Sequence, residues 1–266
     1  MNEPPAQRRV ALITGASGGI GADLARVFAR HGHDLALVAR GGDRLERLAD
    51  EIAAAGRPRP LLIVADLLQP DGAERIMSAL DAAGAAPDIL VNNAGFGLIG
   101  AVADLDPREQ IDIIDLNIRA LVAVTLTLLP QIRVARGKIL NVASVAAFFP
   151  GGPGMTVYYA TKSFVLSFSL GLAQELRNDS VTVSVLCPGA TPTGFQDRAG
   201  FGPQMNLDGV PTTSAMEVAE AGYAGLMAGR REIVPGWINK IGAALLPFLP
   251  KSVILMLIAR IQQKRV

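Results

Sequence analysis

The sequence predicts an α/β fold: a doubly wound parallel sheet with helices on both faces, in a single domain. Three observations carry this expectation. Short aliphatic runs alternate with amphipathic stretches along most of the chain. Half of the 266 residues are hydrophobic yet only 5% are aromatic, which suits Val-, Ile- and Leu-rich strands covered on both sides. The glycine and polar turns at Gly15, Arg40, Asp66, Asn93, Ser144 and Pro188 all follow apolar runs, at the carboxyl ends of strands where such sheets bind ligands.

The elements follow in order. Residues 10–14 form the first strand; the turn GASGGIG and an amphipathic helix to residue 30 come next. HDLALVAR is a second strand, with a helix over 43–55, and PLLIVAD a third, with a helix over 71–83. DILVNNAG ends the fourth strand and precedes a long apolar helix over 107–132. GKILNVAS is the fifth strand, followed by a helix over 155–177, and VTVSVLCPG is the sixth. A helix over 216–227 leads to a short strand in REIVPG. Right-handed crossovers then make the sheet doubly wound. No linker, repeat or low-complexity segment divides residues 1–266, which read as one domain. Within it, the glycines and prolines of residues 190–215 mark a long loop, of the kind that is either a functional lid or disordered, and residues 236–266 read as an apolar C-terminal extension.

Composition excludes several classes. Net charge is +1 and no basic run is interleaved with aromatics, so a nucleic-acid partner is not expected. The single Cys187 can form no internal disulfide, which fits a reducing, cytoplasmic compartment, and it reads as a small buried apolar residue. The stretch MNEPPAQRR lacks the apolar core of a signal peptide. No metal site is expected.

In TGASGGIG, Gly15 allows a sharp turn, while Gly19 and Gly21 remove side chains where a phosphate and the sheet must come close. The following helix offers unpaired N–H groups and a partial positive charge, which together make a pyrophosphate site. The same residues fit G-x-S-x-G, the nucleophile elbow of serine hydrolases, with Ser17 as nucleophile. That reading needs a histidine base late in the chain. His31 and His33, the only histidines, lie at the far end of the helix that Ser17 would begin, roughly 20 Å away at 1.5 Å per residue, so they cannot serve it. At the end of the second strand, where an acid would bind the ribose 2′-hydroxyl of NAD, the chain has Ala39 and then Arg40. A missing carboxylate and an added guanidinium favour a 2′-phosphate, hence NADP(H) over NAD(H).

VYYATKSF places Lys162 four residues after Tyr158 and three after Tyr159. Either tyrosine neighbours the lysine on a helix, so spacing does not choose between them. The two rings point about 100° apart, so only one can face the cleft, and Tyr159 is expected to pack sideways. Taken singly, Asn117 reads as a satisfied buried amide, Ser144 as a turn residue and Asp66 as a cap.

Together the glycine turn, NNAG and Tyr-x-x-x-Lys resemble the short-chain dehydrogenase/reductase family, closely over residues 10–189 and loosely beyond. The resemblance implies a Rossmann-like fold and a nicotinamide cofactor. Residues 14–21, with Gly15, Ser17, Gly19, Ile20 and Gly21, match the cofactor turn, and Asp66 matches the acid near the adenine. Asn93, Ala94 and Gly95 belong to the fourth-strand motif, and Pro188 and Gly189 to the turn beside the nicotinamide, with Thr191 or Thr193 near its amide. Asn117, Ser144, Tyr158 and Lys162 match the catalytic tetrad, which assigns the acid/base role to Tyr158. LVAR, VNNAGFG and VPGWINK look most like the NADP-using branch acting on lipophilic carbonyls.

The chemistry suits these groups. Reducing a ketone adds hydride to carbon and a proton to oxygen. A phenol of pKa about 10 holds its proton tightly at neutral pH. The ammonium of Lys162 is expected to lower that value by roughly 1–3 units and to hold the nicotinamide ribose. Ser144 would hydrogen-bond the substrate oxygen, and Asn117 would hold a water relaying protons from Lys162. The expected activity is therefore NADP(H)-dependent interconversion of a ketone and a secondary alcohol on a lipophilic or acyl-type substrate. The alternatives are a non-catalytic dinucleotide-binding regulator and a membrane-surface scaffold. A homodimer or homotetramer is expected from the apolar helix over 107–132.

The resemblance implies that residues 190–215 form a substrate lid; its Phe195, Phe201 and Met205, with Phe96, Phe148 and Phe149, suggest an apolar substrate pocket. In the tail, Pro247, Pro250 and Lys251 interrupt what would otherwise approach a membrane-spanning length. A lid helix, a subunit contact and a membrane-surface helix all remain open for it.

Overall fold

Residues 7–195, 199–200 and 212–263 are described by a computed structural model. Seven parallel strands form one sheet in the order β3-β2-β1-β4-β5-β6-β7. They are β1 (Arg8–Thr14), β2 (Leu35–Ala39), β3 (Leu61–Val64), β4 (Ala85–Asn92), β5 (Lys138–Val142), β6 (Thr182–Leu186) and β7 (Glu232–Ile233). The chain runs outward from β1 to β3, then returns past β1 to begin β4. The carboxyl ends of β1 and β4 therefore part at the point where strand order reverses, and a crevice opens there.

Strand periodicity explains the two cores. Ile13 and Leu37 face one side of the sheet, with Leu24 and Phe28 of α1 (Gly19–Arg30) and Leu45 of α2 (Gly42–Ala54). Their sequence neighbours Leu12 and Val38 face the other, with Ile76 of α3 (Gly72–Ala82) and Leu128 of α5 (Leu121–Ala135). Both faces are dry, so the strands read as continuous apolar runs rather than as alternation.

The long helix over 107–132 is the element that departs most from expectation. It begins as α4 (Pro107–Ile114), where the Asp106 side chain accepts from Arg108 N at 2.7 Å and Pro107 occupies the first turn. It widens into a π-helical segment at Asp115–Ala120, continues as α5 and ends at Arg136 in the left-handed region. The run contains an 18-residue stretch apolar enough to cross a membrane by composition alone, yet it packs on β4, α3 and α6 (Thr156–Glu175). Beyond β6, Ser214 and Glu217 form a capping box that starts α7 (Ala215–Met227), which packs on α1. The tail folds as α8 (Trp237–Leu245) and α9 (Lys251–Gln263), separated by a short 3-10 turn at Leu246–Phe248.

Candidate active site

The glycine turn and the fourth strand are stitched together by polar side chains. Thr14, buried at the end of β1, donates to Val91 O at 3.3 Å and accepts from Asn93 N at 3.0 Å and Ala94 N at 3.1 Å. Asn93 Nδ2 donates back to Thr14 O at 2.9 Å and Gly15 O at 3.2 Å. This leaves no room for side chains in the turn. A Cβ on Gly15 (φ +66°) would lie 2.8 Å from Asn93 Nδ2 and 2.9 Å from Ala94 Cα, and one on Gly21 would collide with Asn93 Nδ2 and the Gly15 carbonyl. At Gly18, by contrast, an added Cβ would meet nothing among the described residues, and no side chain among them caps the first amides of α1. The turn is thus a cradle whose open side faces an anion-binding helix terminus.

A cavity of about 1010 Å³ runs from this cradle along the carboxyl edge of the sheet. Gly15, Ser17, Gly19, Ile20, Gly21, Arg40 and Asp66 line one end. Asn93, Ala94 and Gly95 line the middle, and Ser144, Tyr158, Lys162, Pro188, Gly189 and Thr191 the other end, together with Thr193. Asp66 Oδ1 also accepts from Leu68 N at 3.1 Å, so it holds its own turn while facing the cavity. Arg44, in the first turn of α2, lines the same end as Arg40, and neither forms an ion pair among the described residues. Sequence reading missed Arg44. Its spacing of one helical turn from Arg40 was the available signal.

The Ser144 and Tyr158 hydroxyls share a hydrogen bond, although β5 and α6 bring them from separate elements. Ser144 also accepts from Ala146 N at 3.2 Å, which fixes its rotamer. Lys162 is buried, its Nζ lies 5.8 Å from the centre of the Tyr158 ring, and it donates to Val142 O at 3.0 Å. Burial dominates both groups. It pushes the Tyr158 phenol up to about 12, against the opposing hydrogen bond from Ser144, and the Lys162 ammonium down to about 8. The phenol therefore moves up rather than in the expected downward direction, because desolvation dominates it. A phenol so shifted holds its proton, as a proton donor to a carbonyl must.

Tyr159 points another way but also lines the cavity, so the expectation that only one of the two rings faces the cleft is not met. Its ring packs on Gly152, where any side chain would collide with it, and stands edge-on to Phe149 at 6.1 Å. Tyr158 instead contacts Gly97 and lies 5.4 Å from the Phe195 ring.

Asn117 does not line the cavity. It sits one layer behind, in the π-helical segment, and its amide is engaged: Nδ2 donates to Phe96 O at 2.9 Å and Thr161 Oγ1 at 3.0 Å, while Oδ1 accepts from Phe96 N at 3.1 Å. Its side chain braces Gly95-Phe96 against α6. An added Cβ at Gly95 would lie 2.8 Å from Asn117 Oδ1 and 3.4 Å from Lys162 Nζ, so the brace abuts the lysine. Widened helical turns of this kind recur at functional sites. Phe148 also departs from expectation: it packs with Val165 and Leu121 in the core, while Phe96 and Phe149 do line the cavity. Phe201 and Met205 lie outside the described residues. Cys187 is buried, and burial pushes its thiol up to about 12, in keeping with an inert packing residue.

The chain matches the short chain dehydrogenase family model over residues 9–200 and belongs to that family. It is an oxidoreductase fold with a nicotinamide-dinucleotide site. Among curated relatives, oxidoreductase UcpA of Salmonella typhimurium is 34% identical over 214 residues, 80% of each chain. A solved short-chain dehydrogenase from Sphingobium yanoikuyae in complex with NADPH superposes with TM-score 0.78 at 31% identity, covering 92% of this chain and 97% of that one. The bulky-bulky ketone specific alcohol dehydrogenase from Comamonas testosteroni gives 0.73 at 29%, covering 93% and 96%.

Proposed function

We propose that this protein is an NADPH-dependent reductase of lipophilic ketones, able to run in reverse on the matching secondary alcohols. The observation that carries this reading is the Ser144–Tyr158 hydroxyl pair beside buried Lys162, at the end of a cavity that begins in the glycine cradle. When bound, the cofactor would supply hydride to the carbonyl carbon. Gly15, Ser17, Gly19, Ile20 and Gly21 would hold its pyrophosphate, and Asp66 would face the adenine. Asn93, Ala94 and Gly95 would border the ribose held by Tyr158 and Lys162, with Pro188, Gly189 and Thr191 beside the nicotinamide. Tyr158 donates its proton to the carbonyl oxygen, Ser144 hydrogen-bonds that oxygen as charge develops, and Lys162 stabilises the phenolate left behind. Asn117 is a positioning residue that fixes the strand end against Lys162.

Arg40 and Arg44, two guanidinium groups without carboxylate partners among the described residues, favour a 2′-phosphate. The substrate end is apolar: Phe149, Met155, Tyr159, Phe195, Ile238 and Ile258 line it. Ala190, Gly194 and Phe195 of the expected lid, and Ile238, Asn239 and Ile258 of the C-terminal extension, act as its outer wall, while residues 196–198 and 201–211 of the expected lid lie outside the described residues. A cytoplasmic homodimer or homotetramer is supported by apolar side chains left exposed on α4 and α5, among them Ile111, Leu126 and Val134. The test is a screen of ketones of graded chain length with NADPH and NADH, following loss of reduced-cofactor absorbance. Turnover that rises with chain length and prefers NADPH is expected. Turnover with no ketone, or equal use of NADH, would contradict the reading.

A further inference from the structure

The C-terminal helices carry a surface that the cavity does not explain. In α8, Trp237, Ile241, Ala244 and Leu245 fall at the spacing of one helical face, and none of the helix's residues is buried. In α9, Ile254 and Ile258 turn inward and are buried, while Val253, Met256 and Leu257 turn outward and are exposed. Between the helices, Phe248 is 84% exposed and Leu249 46%. These exposed apolar side chains recur along both helices and the turn that joins them, from Trp237, 73% exposed, to Leu257. Isolated exposed apolar residues need no explanation, but nine large ones between Trp237 and Leu257 do.

Charge identifies the occupant of this surface. From Pro235 to Val266 the sequence contains Lys240, Lys251, Arg260, Lys264 and Arg265 and not one Asp or Glu. Lys240, Lys251 and Arg260 are exposed on the same two helices. A second copy of the chain laid on this surface would bring like charges together with no carboxylate to pair them. An anionic bilayer satisfies both features: acyl chains take the apolar side chains and headgroups take the ammonium and guanidinium groups.

We propose that α8 and α9 form a docking surface for an anionic lipid membrane. The same helices line the cavity through Ile238, Asn239 and Ile258, and Asn239 packs directly on Gly189 of the turn beside Ser144. The docked face and the apolar end of the cavity are therefore two sides of one pair of helices. Resting on the ketone-reductase reading, this makes the substrate a membrane-dissolved ketone that reaches Tyr158 from the bilayer side.

Trp237 is the chain's only tryptophan, so its emission reports docking without a label. Vesicles of phosphatidylglycerol should shift that emission to the blue and co-sediment the full-length protein, and vesicles of phosphatidylcholine should do so far less. Lys240→Glu/Lys251→Glu should weaken binding by roughly fivefold for each cation removed, or more. Phe248→Asp/Met256→Asp, both at exposed positions, should abolish it while leaving turnover of a water-soluble ketone unchanged. Those variants should lose turnover of a long-chain ketone supplied in phosphatidylglycerol vesicles. No blue shift and no co-sedimentation with phosphatidylglycerol would overturn the proposal. So would a dimer seen by sedimentation equilibrium that the Phe248→Asp/Met256→Asp variant dissolves while vesicle binding stays absent. If no ketone is turned over, the fluorescence and sedimentation results still decide the docking surface by themselves.

Discussion

Helices α1 and α8 are built on the same pattern and used in opposite ways. Each carries apolar residues three and four apart: Leu24, Val27 and Phe28 in one, Trp237, Ile241 and Leu245 in the other. In α1 that face is fully buried against the sheet, and Phe28 meets Tyr223 of α7 edge-on at 4.9 Å. In α8 the same face is exposed. The first helix contributes to folding and holds the glycine turn at its start. The second contributes little to the core and forms a wall and an outer surface. Amphipathic spacing therefore says that a helix has two faces, and the rest of the fold says which one meets protein.

The sharpest way to break this comparison is a matched pair of truncations. Phe28→Ala should lower unfolding free energy by about 3–5 kcal/mol. Phe248→Ala should change it by no more than about 0.5 kcal/mol. Urea unfolding measures both, and similar losses at the two sites would mean that the C-terminal helices belong to the cooperative core after all.

Arg40→Asp tests the cofactor end. Removing a charge-assisted contact should weaken NADPH binding by roughly 10- to 100-fold with little loss for NADH. Quenching of Trp237 or total protein fluorescence reads this. Equal weakening of both cofactors would leave Arg40 without a role in choosing between them.

The buried lysine gives a pH signature of similar but smaller size. Below about 8, Lys162 is charged, as the proposed hold on the cofactor requires, and above that value the charge is lost. The kcat/KM for NADPH, which reports groups on the enzyme before cofactor binds, should fall roughly tenfold between about pH 7 and pH 9. Stability should move the other way. The folded value lies below the ordinary 10.5, so the unfolded chain binds more protons between about 8 and 10.5, and stability rises with pH across that window. A kcat/KM that stays flat to pH 9 would remove Lys162 from cofactor binding.

Much of this was legible in the sequence. Aliphatic runs and turn glycines specify the sheet and its crevice, because a parallel sheet buried on both faces leaves few other patterns. The positive φ at Gly15 and Gly19 and the crowding at Gly21 are what such a glycine cluster demands. Tyr158 and Tyr159 could not be told apart by spacing, and it is Gly152 that receives the Tyr159 ring. The widened turn at Asn117 was not legible, since a π-helical segment has no side-chain period of its own. Nor was the buried chain in which Asn92 donates to Thr125 and Asn141, and Asn141 to Ser169, each at 2.9 Å. Those residues are scattered over two strands and two helices, and only the folded register brings them together.

The central claim is that Tyr158, and not its neighbour, carries the proton. Tyr158→Phe and Tyr159→Phe should be compared for turnover of the best ketone found, with NADPH affinity measured alongside. The account predicts that Tyr158→Phe loses at least about 10²-fold in kcat with cofactor affinity nearly unchanged, while Tyr159→Phe stays active. An inactive Tyr159→Phe beside an active Tyr158→Phe would contradict it.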